Sequence, residues 1–387
     1  MIPQIRASSD RRSPLLRALP VLPAFVAALA LTCQGGTQAV AGWVGQRVVE
    51  KSADTTLVIN HQVVARGNVH RIYRVEHTSG DWLWITSGGI SGWVRSNDVI
   101  PFEQAIDFFT YEIRSNPSAW AFCARGIIWD DRQEFDIAIA DFNDALRLDP
   151  SDPLAYLNRG IAWSNKHDFD RAISDFNEAL RFSPRDAVIY YNRGTARGFK
   201  QDYDHAIADF SEAIRLNPRY DAAFSNRGSA WTNKREYAHA VADFNEAIRL
   251  DPRNAVAYSN RGLAFSRQRS YARALTDYNE AIHRDPSDAL SYNNRAWLLA
   301  TCPASAFRDG KQAVSSAQRA CELADGTPSY TLGTLAAAYA ELGDFESAVN
   351  WQTKAIALAP EDEKDDYRAR LKLYQDKKPY RDEQPGS

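Results

Sequence analysis

The stretch YSNRG, residues Tyr258 to Gly262, decides the fold because it returns along the chain at a constant interval. Related stretches are YLNRG from Tyr156, YYNRG from Tyr190, FSNRG from Phe224 and YNNRA from Tyr292. Asn and Gly are poor helix formers, and Gly costs about 1 kcal/mol relative to Ala in a helix interior. Their return in a fixed order therefore indicates specific contacts at these positions rather than helix propensity.

Prolines give the length of the repeating unit. They stand 34 residues apart at Pro150, Pro184, Pro218, Pro252 and Pro286. A fixed period of this length is typical of a solenoid of stacked helical pairs. The interval from Pro286 to Pro360 is 74 residues, so a sixth unit carries an insertion, ATCPASAFRDG, and a seventh unit regains the pattern.

Small and large residues alternate within each unit. We number the places of a unit from residues 119, 153, 187, 221, 255 and 289. Place 8 is small, as in Gly160, and place 24 is a large aromatic in five units, as in Phe176. Small residues let two antiparallel helices approach closely, and the ring fills the wedge to the next unit. The pattern resembles the tetratricopeptide repeat from Ala119 to Pro360, which implies a mainly α-helical solenoid.

A charged pair also recurs. Place 7 is Arg in six units and place 23 is Asp in five: Arg125, Arg159, Arg193, Arg227, Arg261 and Arg295, with Asp141, Asp175, Asp209, Asp243 and Asp277. In a hairpin that turns near place 15 these places lie level with each other. The sequence therefore predicts Arg–Asp pairs, within units or between neighbours, bidentate where geometry allows. The alternative is a basic stripe for an anionic ligand, but the recurring acids would cancel its field.

The resemblance implies where a protein or peptide partner would bind. In this family the first helix of each unit lines a groove, through places 2, 5, 9 and 12, and an Asn at place 6 can hold a peptide backbone. The predicted groove residues are Leu157, Asn158, Ile161, Tyr191, Asn192, Thr195, Ser225, Asn226, Ser259 and Asn260. The alternative for the Asn residues is a hydrogen bond to a neighbouring helix, since buried amides are usually satisfied internally.

Residues 42–100 differ from the repeats in composition, with short runs rich in Val, Ile and Trp between turn residues. This pattern predicts a small closed β-barrel. The run GDWLWI…GWV resembles the bacterial SH3-like domain, some relatives of which bind cell-wall peptides. Trp43, Trp82, Trp84 and Trp93 are therefore a candidate ligand surface, and the alternative is that they fill the barrel and its rim. No Gly/Ser-rich linker follows, so we expect the barrel to be docked on the helices.

The N-terminus has the features of a signal peptide over residues 1–41. A basic front, an apolar stretch from Ala18 to Cys33 and the small-residue sequence AVA before Gly42 indicate export, to the periplasm, the envelope or the medium. The alternative is an uncleaved anchor, for which the apolar run is short against a core of about 30 Å. Membrane association is expected only through such an uncleaved segment.

The remaining boundaries follow from the repeats. Residues 101–118 match only the second helix of a unit, which predicts a half-repeat. Residues 119–360 are predicted to form a solenoid of about seven units, and residues 361–387 a capping helix and tail. After cleavage three cysteines remain, Cys123, Cys302 and Cys321, and we expect free thiols because stacking stabilises such a fold.

Composition and motifs argue against catalysis. The formal net charge is −3, which does not suggest a nucleic-acid-binding protein, and the seven His lack metal-ligand spacing. No nucleophile elbow, phosphate loop or dinucleotide fingerprint is present. We expect no enzyme, cofactor or metal, and instead a protein-interaction scaffold of the cell envelope. The alternative is an envelope anchor whose SH3-like barrel binds cell-wall peptide.

Overall fold

A computed structural model describes residues 41–59, 62–66, 71–87, 90–326 and 328–383. The predicted signal segment lies outside the described residues except for its last residue, and so does the end of the tail, 384–387. The described residues form two compact units, residues 41–200 and residues 201–383. No helix in these ranges has the length and apolar character needed to cross a membrane.

The first unit begins with an antiparallel β-sheet. Its strands are β1 Arg47–Glu50, β2 Thr56–Ile59, β3 Gln62–Arg66, β4 Ile72–Ser79, β5 Trp82–Ser87, β6 Ile90–Arg95 and β7 Val99–Pro101, in the order β3-β2-β6-β5-β4-β1-β7. Alternate residues of the strands, such as Leu83 and Ile85, gather in one core with Leu57, Tyr73 and Val94. The prediction of a small β module is therefore confirmed, while its likeness to the SH3-like domain stays a prediction.

Helices account for the rest of both units. The first unit holds α1 Phe102–Ser115, α2 Ala119–Asp131, α3 Phe135–Leu148, α4 Pro153–Asn165, α5 Phe169–Phe182 and α6 Ala187–Phe199. The second holds α7 Tyr203–Leu216, α8 Asp221–Asn233, α9 Tyr237–Leu250, α10 Ala255–Arg267, α11 Tyr271–Arg284, α12 Ala289–Thr301, α13 Gly310–Leu323, α14 Ser329–Leu342, α15 Phe345–Leu358 and α16 Lys364–Gln375. The 34-residue period thus corresponds to one helical pair, as the sequence predicted.

The helix starts are encoded locally. Asp152 accepts a hydrogen bond from the backbone N–H of Leu154, and Pro153 occupies the first helical position, where its missing N–H costs nothing. Five hairpins within the two units reverse at a residue with positive φ: Gln133, His167, Arg235, Arg269 and Gly343. Only the last is a glycine, and a side chain in this left-handed region costs roughly 1–2 kcal/mol. Packing of the two helices therefore imposes these turns.

The small and aromatic places meet inside the hairpins. A Cβ added to Gly160 would lie 2.6 Å from Cε1 of Phe176, so only glycine fits against the ring. The sixth hairpin solves the same problem differently, because Ala296 faces a helix that carries the buried Ala317 instead of an aromatic. In this hairpin two small residues meet where the other hairpins pair a small residue with a ring.

The β module shares a hydrophobic cluster with the helices. Val49 and Ile100 of the sheet pack with Phe102 of α1. The guanidinium of Arg47 lies 3.6 Å from the centre of the Phe102 ring and donates to both carboxylate oxygens of Asp131, at 2.7 and 3.2 Å. These contacts confirm that the module is docked on the helices.

The far end of the second unit is covered by α16. Tyr367 and Tyr374 of this helix are buried, the second within the cluster formed by α12 to α15. The three cysteines that the structure describes, Cys123, Cys302 and Cys321, are free thiols, as predicted.

Candidate peptide-binding groove

The recurring Arg and Asp pair within each hairpin. Nε and Nη2 of Arg159 donate to the two carboxylate oxygens of Asp175 at 2.8 and 2.7 Å. The same bidentate geometry is found at Arg125–Asp141, Arg227–Asp243 and Arg261–Asp277. The predicted series of Arg–Asp pairs, which we call the ladder, is confirmed for these hairpins. Its guanidinium groups are engaged with carboxylates rather than presented to an anionic ligand.

The third nitrogen of each Arg reaches the preceding repeat, which the sequence reasoning missed. Nη1 of Arg159 donates to Asn143 Oδ1 at 2.6 Å, and Nη1 of Arg261 donates to Asn245 Oδ1 at 2.7 Å. The sequence feature that could have indicated this contact is the polar residue that recurs at place 25. The guanidinium of Arg261 also lies 5.4 Å from the centre of the Tyr258 ring. The stretch YSNRG therefore ties three helices together.

The ladder ends at the sixth hairpin. Arg295 has no carboxylate partner among the described residues, and its Nε donates instead to Ser316 Oγ at 3.2 Å, while Nη1 donates to Asn279 Oδ1 at 2.9 Å. Burial lowers the pKa of this guanidinium below its ordinary value. The insertion in this unit thus coincides with the loss of the acid.

We call the surface formed by α2, α4 and α6 the N-terminal groove face. Among its predicted site residues, Leu157 is buried in the hydrophobic cluster of this region and is only 7% exposed. Its assignment as a surface contact is wrong, because place 5 points between consecutive first helices. Ile161 packs on the same cluster but stays partly exposed.

The amides of this face differ in their bonding. Asn192 donates to the carbonyl of Val188 in its own helix at 2.8 Å, and Thr195 donates to the carbonyl of Tyr191 at 2.9 Å. The side chain of Asn158 makes no hydrogen bond within the described part of the chain. Asn158 therefore retains a free donor and a free acceptor, which a bound backbone would satisfy.

A half-buried acid lies at the edge of this face. Asn165 Nδ2 donates to Asp130 Oδ1 at 3.2 Å, and burial raises the pKa of Asp130 to about 6. Asp130 occupies place 12 of the first repeat, a groove place that the sequence reasoning did not single out. A partner at this face would meet few formal charges, since the neighbouring places hold Ile161 and Val188.

We call the surface formed by α8, α10, α12 and α14 the C-terminal groove face. Here the predicted site residues Ser225, Asn226 and Ser259 are only 6%, 6% and 2% exposed. Asn260 Nδ2 lies 3.4 Å from Ser229 Oγ of the preceding repeat. Small side chains let consecutive first helices pack closely, so the assignment of Ser225, Asn226 and Ser259 to an open groove surface is wrong, while that of the half-buried Asn260 stays a prediction.

The tryptophans of the β module do not all fill its core. Trp43 packs against the core cluster, but Trp82, Trp84 and Trp93 alternate with the buried residues of β5 and β6 and stay partly exposed on the opposite face. Trp84 and Trp93 form a cross-strand pair with ring centres 5.4 Å apart. These three rings therefore lie outside the core, and whether they bind a ligand or only form the rim of the module stays a prediction.

Other polar groups have structural roles. Tyr73 donates to Glu50 Oε1 at 3.0 Å beneath the sheet, and burial raises the pKa of Glu50 to about 7. Burial also raises the pKa of the Cys123 thiol, which leaves it protonated and unreactive. No cluster of His, Cys, Asp or Glu side chains in the described ranges is arranged to hold a metal ion.

Comparison with known protein families gives matches within the repeat region. Family models described as tetratricopeptide repeat match residues 124–187, 187–220, 255–288 and 330–362, and a TPR repeat model matches residues 232–269. No curated protein sequence matches the chain.

Solved structures support the fold. A tetratricopeptide repeat protein from Parabacteroides merdae is 17% identical, with 70% of this chain and 99% of that chain covered at a TM-score of 0.52. Yeast Tom70 is 19% identical, with 71% and 58% covered at a TM-score of 0.50. The Cut9 and Hcn1 assembly of the APC/C is 16% identical, with 61% and 46% covered at a TM-score of 0.53.

The family matches, the solved structures and the 34-residue helical pairs agree with one another. Solenoids of this kind expose long faces for binding other proteins rather than enclosing a reaction centre. Residues 124–220, 232–288 and 330–362 carry tetratricopeptide repeats, which support a protein-interaction scaffold.

Proposed function

We propose that the N-terminal groove face binds an extended or helical segment of a partner protein. The observation that carries this proposal is the unbonded amide of Asn158 beside partly exposed apolar side chains. Val188 is 40% exposed although it is aliphatic, and Tyr191 stands between it and Asn192 on the same helix. Such recognition usually combines an amide that hydrogen-bonds the partner's backbone with apolar residues against which the partner's anchor side chains pack.

The chemistry of the partner follows from this lining. Aliphatic or aromatic anchors would bury against Ile161 and Val188, and Asn158 would hydrogen-bond the partner's backbone. Place 2, where the family's carboxylate clamp needs a basic residue, is apolar here in Leu154 and Val188. Binding should therefore survive raised salt, because screening acts mainly on exposed charge pairs.

A matched pair of variants tests this proposal. Val188→Asp places a charge on the groove face, and Ile137→Asp makes the same change on α3, where Ile137 is 44% exposed. A partner is first identified by photo-crosslinking from a probe at position 195 of the full chain, which leaves Asn158 in place. We expect Val188→Asp to weaken that partner at least tenfold and Ile137→Asp to leave it unchanged, with equal helical content. Equal affinity of both variants would refute the groove as the site.

We further propose that the protein is exported. The support is the basic and apolar N-terminus followed by AVA before Gly42, together with a β module whose first described strand starts at Arg47. N-terminal sequencing of the protein from its host should find a mature chain that begins near Gly42. Recovery of a chain that starts at Met1 would contradict export with cleavage.

A second candidate function concerns the β module. Trp82, Trp84 and Trp93 leave an aromatic surface on the outer face of the sheet, and Arg95 stacks over Trp82 at 4.9 Å. Such a surface suits a cell-wall peptide, and the solenoid would then act as an arm. Sedimentation with isolated cell wall tests this alternative: Trp84→Ala should release the full chain from the wall if the module is the anchor, and equal retention would exclude it.

A further inference from the structure

The chain does not end at the capping helix. After α16 it reverses at Lys377, which has φ 55°, and the N–H of Lys378 bonds the carbonyl of Leu373 at 2.8 Å. The following residues run without regular structure back to α12, where the N–H of Asp382 donates to the carbonyl of Thr301 at 2.9 Å. We call residues 379–382 the tail segment. It reaches the groove side of the second unit.

The acidic residue of the tail segment is held by three groups. Besides its backbone bond, Asp382 accepts a hydrogen bond from Trp297 Nε1 at 2.9 Å through Oδ2. The same oxygen lies 3.8 Å from Nη1 of Arg267. One side-chain donor, one cation and one backbone acceptor therefore converge on a single residue.

The residues before it are also recognised. The ring of Tyr380 lies 5.7 Å from that of Trp297 and packs on the hydrophobic cluster of this region. Arg381 donates to the carbonyl of Ala300 at 3.2 Å and forms an ion pair of 2.7 Å with Glu341, without hydrogen-bond alignment at that oxygen.

The insertion of the sixth repeat supports this pocket. Arg308, which lies in the insertion, donates through Nε to Glu341 Oε1 at 3.0 Å and through Nη1 to the carbonyl of Cys302 at 2.9 Å. Glu341 is thereby fixed where Arg381 meets it. The insertion, whose Cys302 and Phe307 pack on the helices around Tyr278, thus also helps to hold the tail segment.

The contacts lie at groove places 9 and 12 and at the adjacent place 13. Trp297, Ala300 and Thr301 occupy places 9, 12 and 13 of α12, and Arg267 occupies place 13 of α10. The tail segment therefore lies on the C-terminal groove face as an extended peptide with one backbone hydrogen bond and three side-chain subsites. A cap for the last helical pair is already supplied by Tyr367 and Tyr374 of α16.

We propose that this pocket recognises an extended segment with an aromatic, an Arg and an acidic residue in succession, and that the tail segment occupies it as an internal ligand. A partner segment of the same chemistry would have to displace the tail. This inference extends to the C-terminal groove face the peptide binding proposed for the N-terminal groove face, and it rests on that proposed function. A short tether gives the tail an effective concentration in the millimolar range, so an intact tail strongly weakens binding of a free segment.

The experiment uses the full chain and a labelled peptide of residues 377–383, KKPYRDE. The full-chain variant Tyr380→Ala, Arg381→Ala, Asp382→Ala frees the pocket while keeping α16. We expect this variant to bind the peptide at least tenfold more tightly than the unaltered chain. A peptide with Ala at its Tyr, Arg and Asp positions is the matched control and should not bind either protein.

Trp297→Phe in the freed variant keeps the ring but removes the indole donor, and it should weaken the peptide severalfold. The inference is overturned if the freed variant binds KKPYRDE no more tightly than the unaltered chain, or binds the control peptide equally well. This outcome is separate from the proposed function, because partner capture at Asn158 and Val188 would be unaffected by it.

Discussion

At the scale of single residues, the Arg of place 7 carries more contacts than a surface ion pair. Arg159 bonds Asp175 with two nitrogens and Asn143 with the third. The carboxylate of Asp175 is only 8% exposed, so its charge depends on this partner. Burying a charge pair is often close to neutral overall, whereas removing one member leaves an uncompensated charge.

We therefore expect Arg159→Leu to lower the free energy of unfolding by about 3–5 kcal/mol. The double variant with Asp175→Leu should recover a large part of this loss, because no unpaired carboxylate then remains. Urea unfolding of the four proteins of the cycle measures the coupling. As control, Arg181→Leu on the exposed pair with Glu178 should cost about 0–1 kcal/mol. Strict additivity of the first two changes would contradict their pairing.

Glu50 predicts a pH dependence of the β module. Burial raises its pKa from 4.5 to about 7, so the folded module keeps the proton over a range in which the unfolded chain has lost it. Stability should therefore fall as pH rises from 4.5 through 7, by about 3 kcal/mol in all.

Hydrogen exchange at the amides of Val48 and Tyr73, corrected for intrinsic rates, should show lower protection at about pH 8 than at about pH 5. Glu50→Gln should remove most of this difference, because the amide does not titrate. An equal decline in the variant would assign the effect to another group.

At the scale of the helical pair, Gly160 and Phe176 set how closely two helices approach. Gly160→Ala places its methyl carbon 2.6 Å from the ring, an overpacking that should cost about 1–3 kcal/mol. In a Phe176→Leu background the smaller side chain leaves room, so the added cost of Gly160→Ala should fall. Thermal unfolding of both backgrounds measures this, and an unchanged cost would show that the ring is not the obstacle.

The same elements show what sequence reasoning reaches. Periodicity predicted the helical pairs, and two places level in a hairpin predicted the contact of Arg159 with Asp175. Side-chain direction around a first helix was harder, because the burial of Leu157 and Ser225 depends on how consecutive repeats pack. The pocket around Trp297 was out of reach, since it joins an insertion and a tail that have no period.

At the scale of the whole molecule, the sheet and the first helices behave as parts of one body through Phe102. This ring is 3% exposed and lies between Val49, Ile100 and the guanidinium of Arg47. Phe102→Ala should cost about 3–5 kcal/mol through the cavity it leaves. It should also open the connection near Pro101 to limited proteolysis, whereas the exposed Tyr111→Ala in the same helix should not. Equal resistance of both variants would contradict a docked module.

The hydrogen bond from each Arg side chain of the ladder to the preceding repeat has a consequence for deletions and insertions in the solenoid. Arg227 and Arg261 each meet an acid in their own hairpin and a polar oxygen one repeat earlier, Ser211 in one case and Asn245 in the other. Removal of residues 221–254, one full period, would bring Arg261 onto Ser211 with every donor still facing an acceptor. Removal of a number of residues that is not a multiple of 34 would leave buried aspartates without their arginines. Duplication or loss by whole periods thus keeps every Arg of the ladder with its acid and its polar partner.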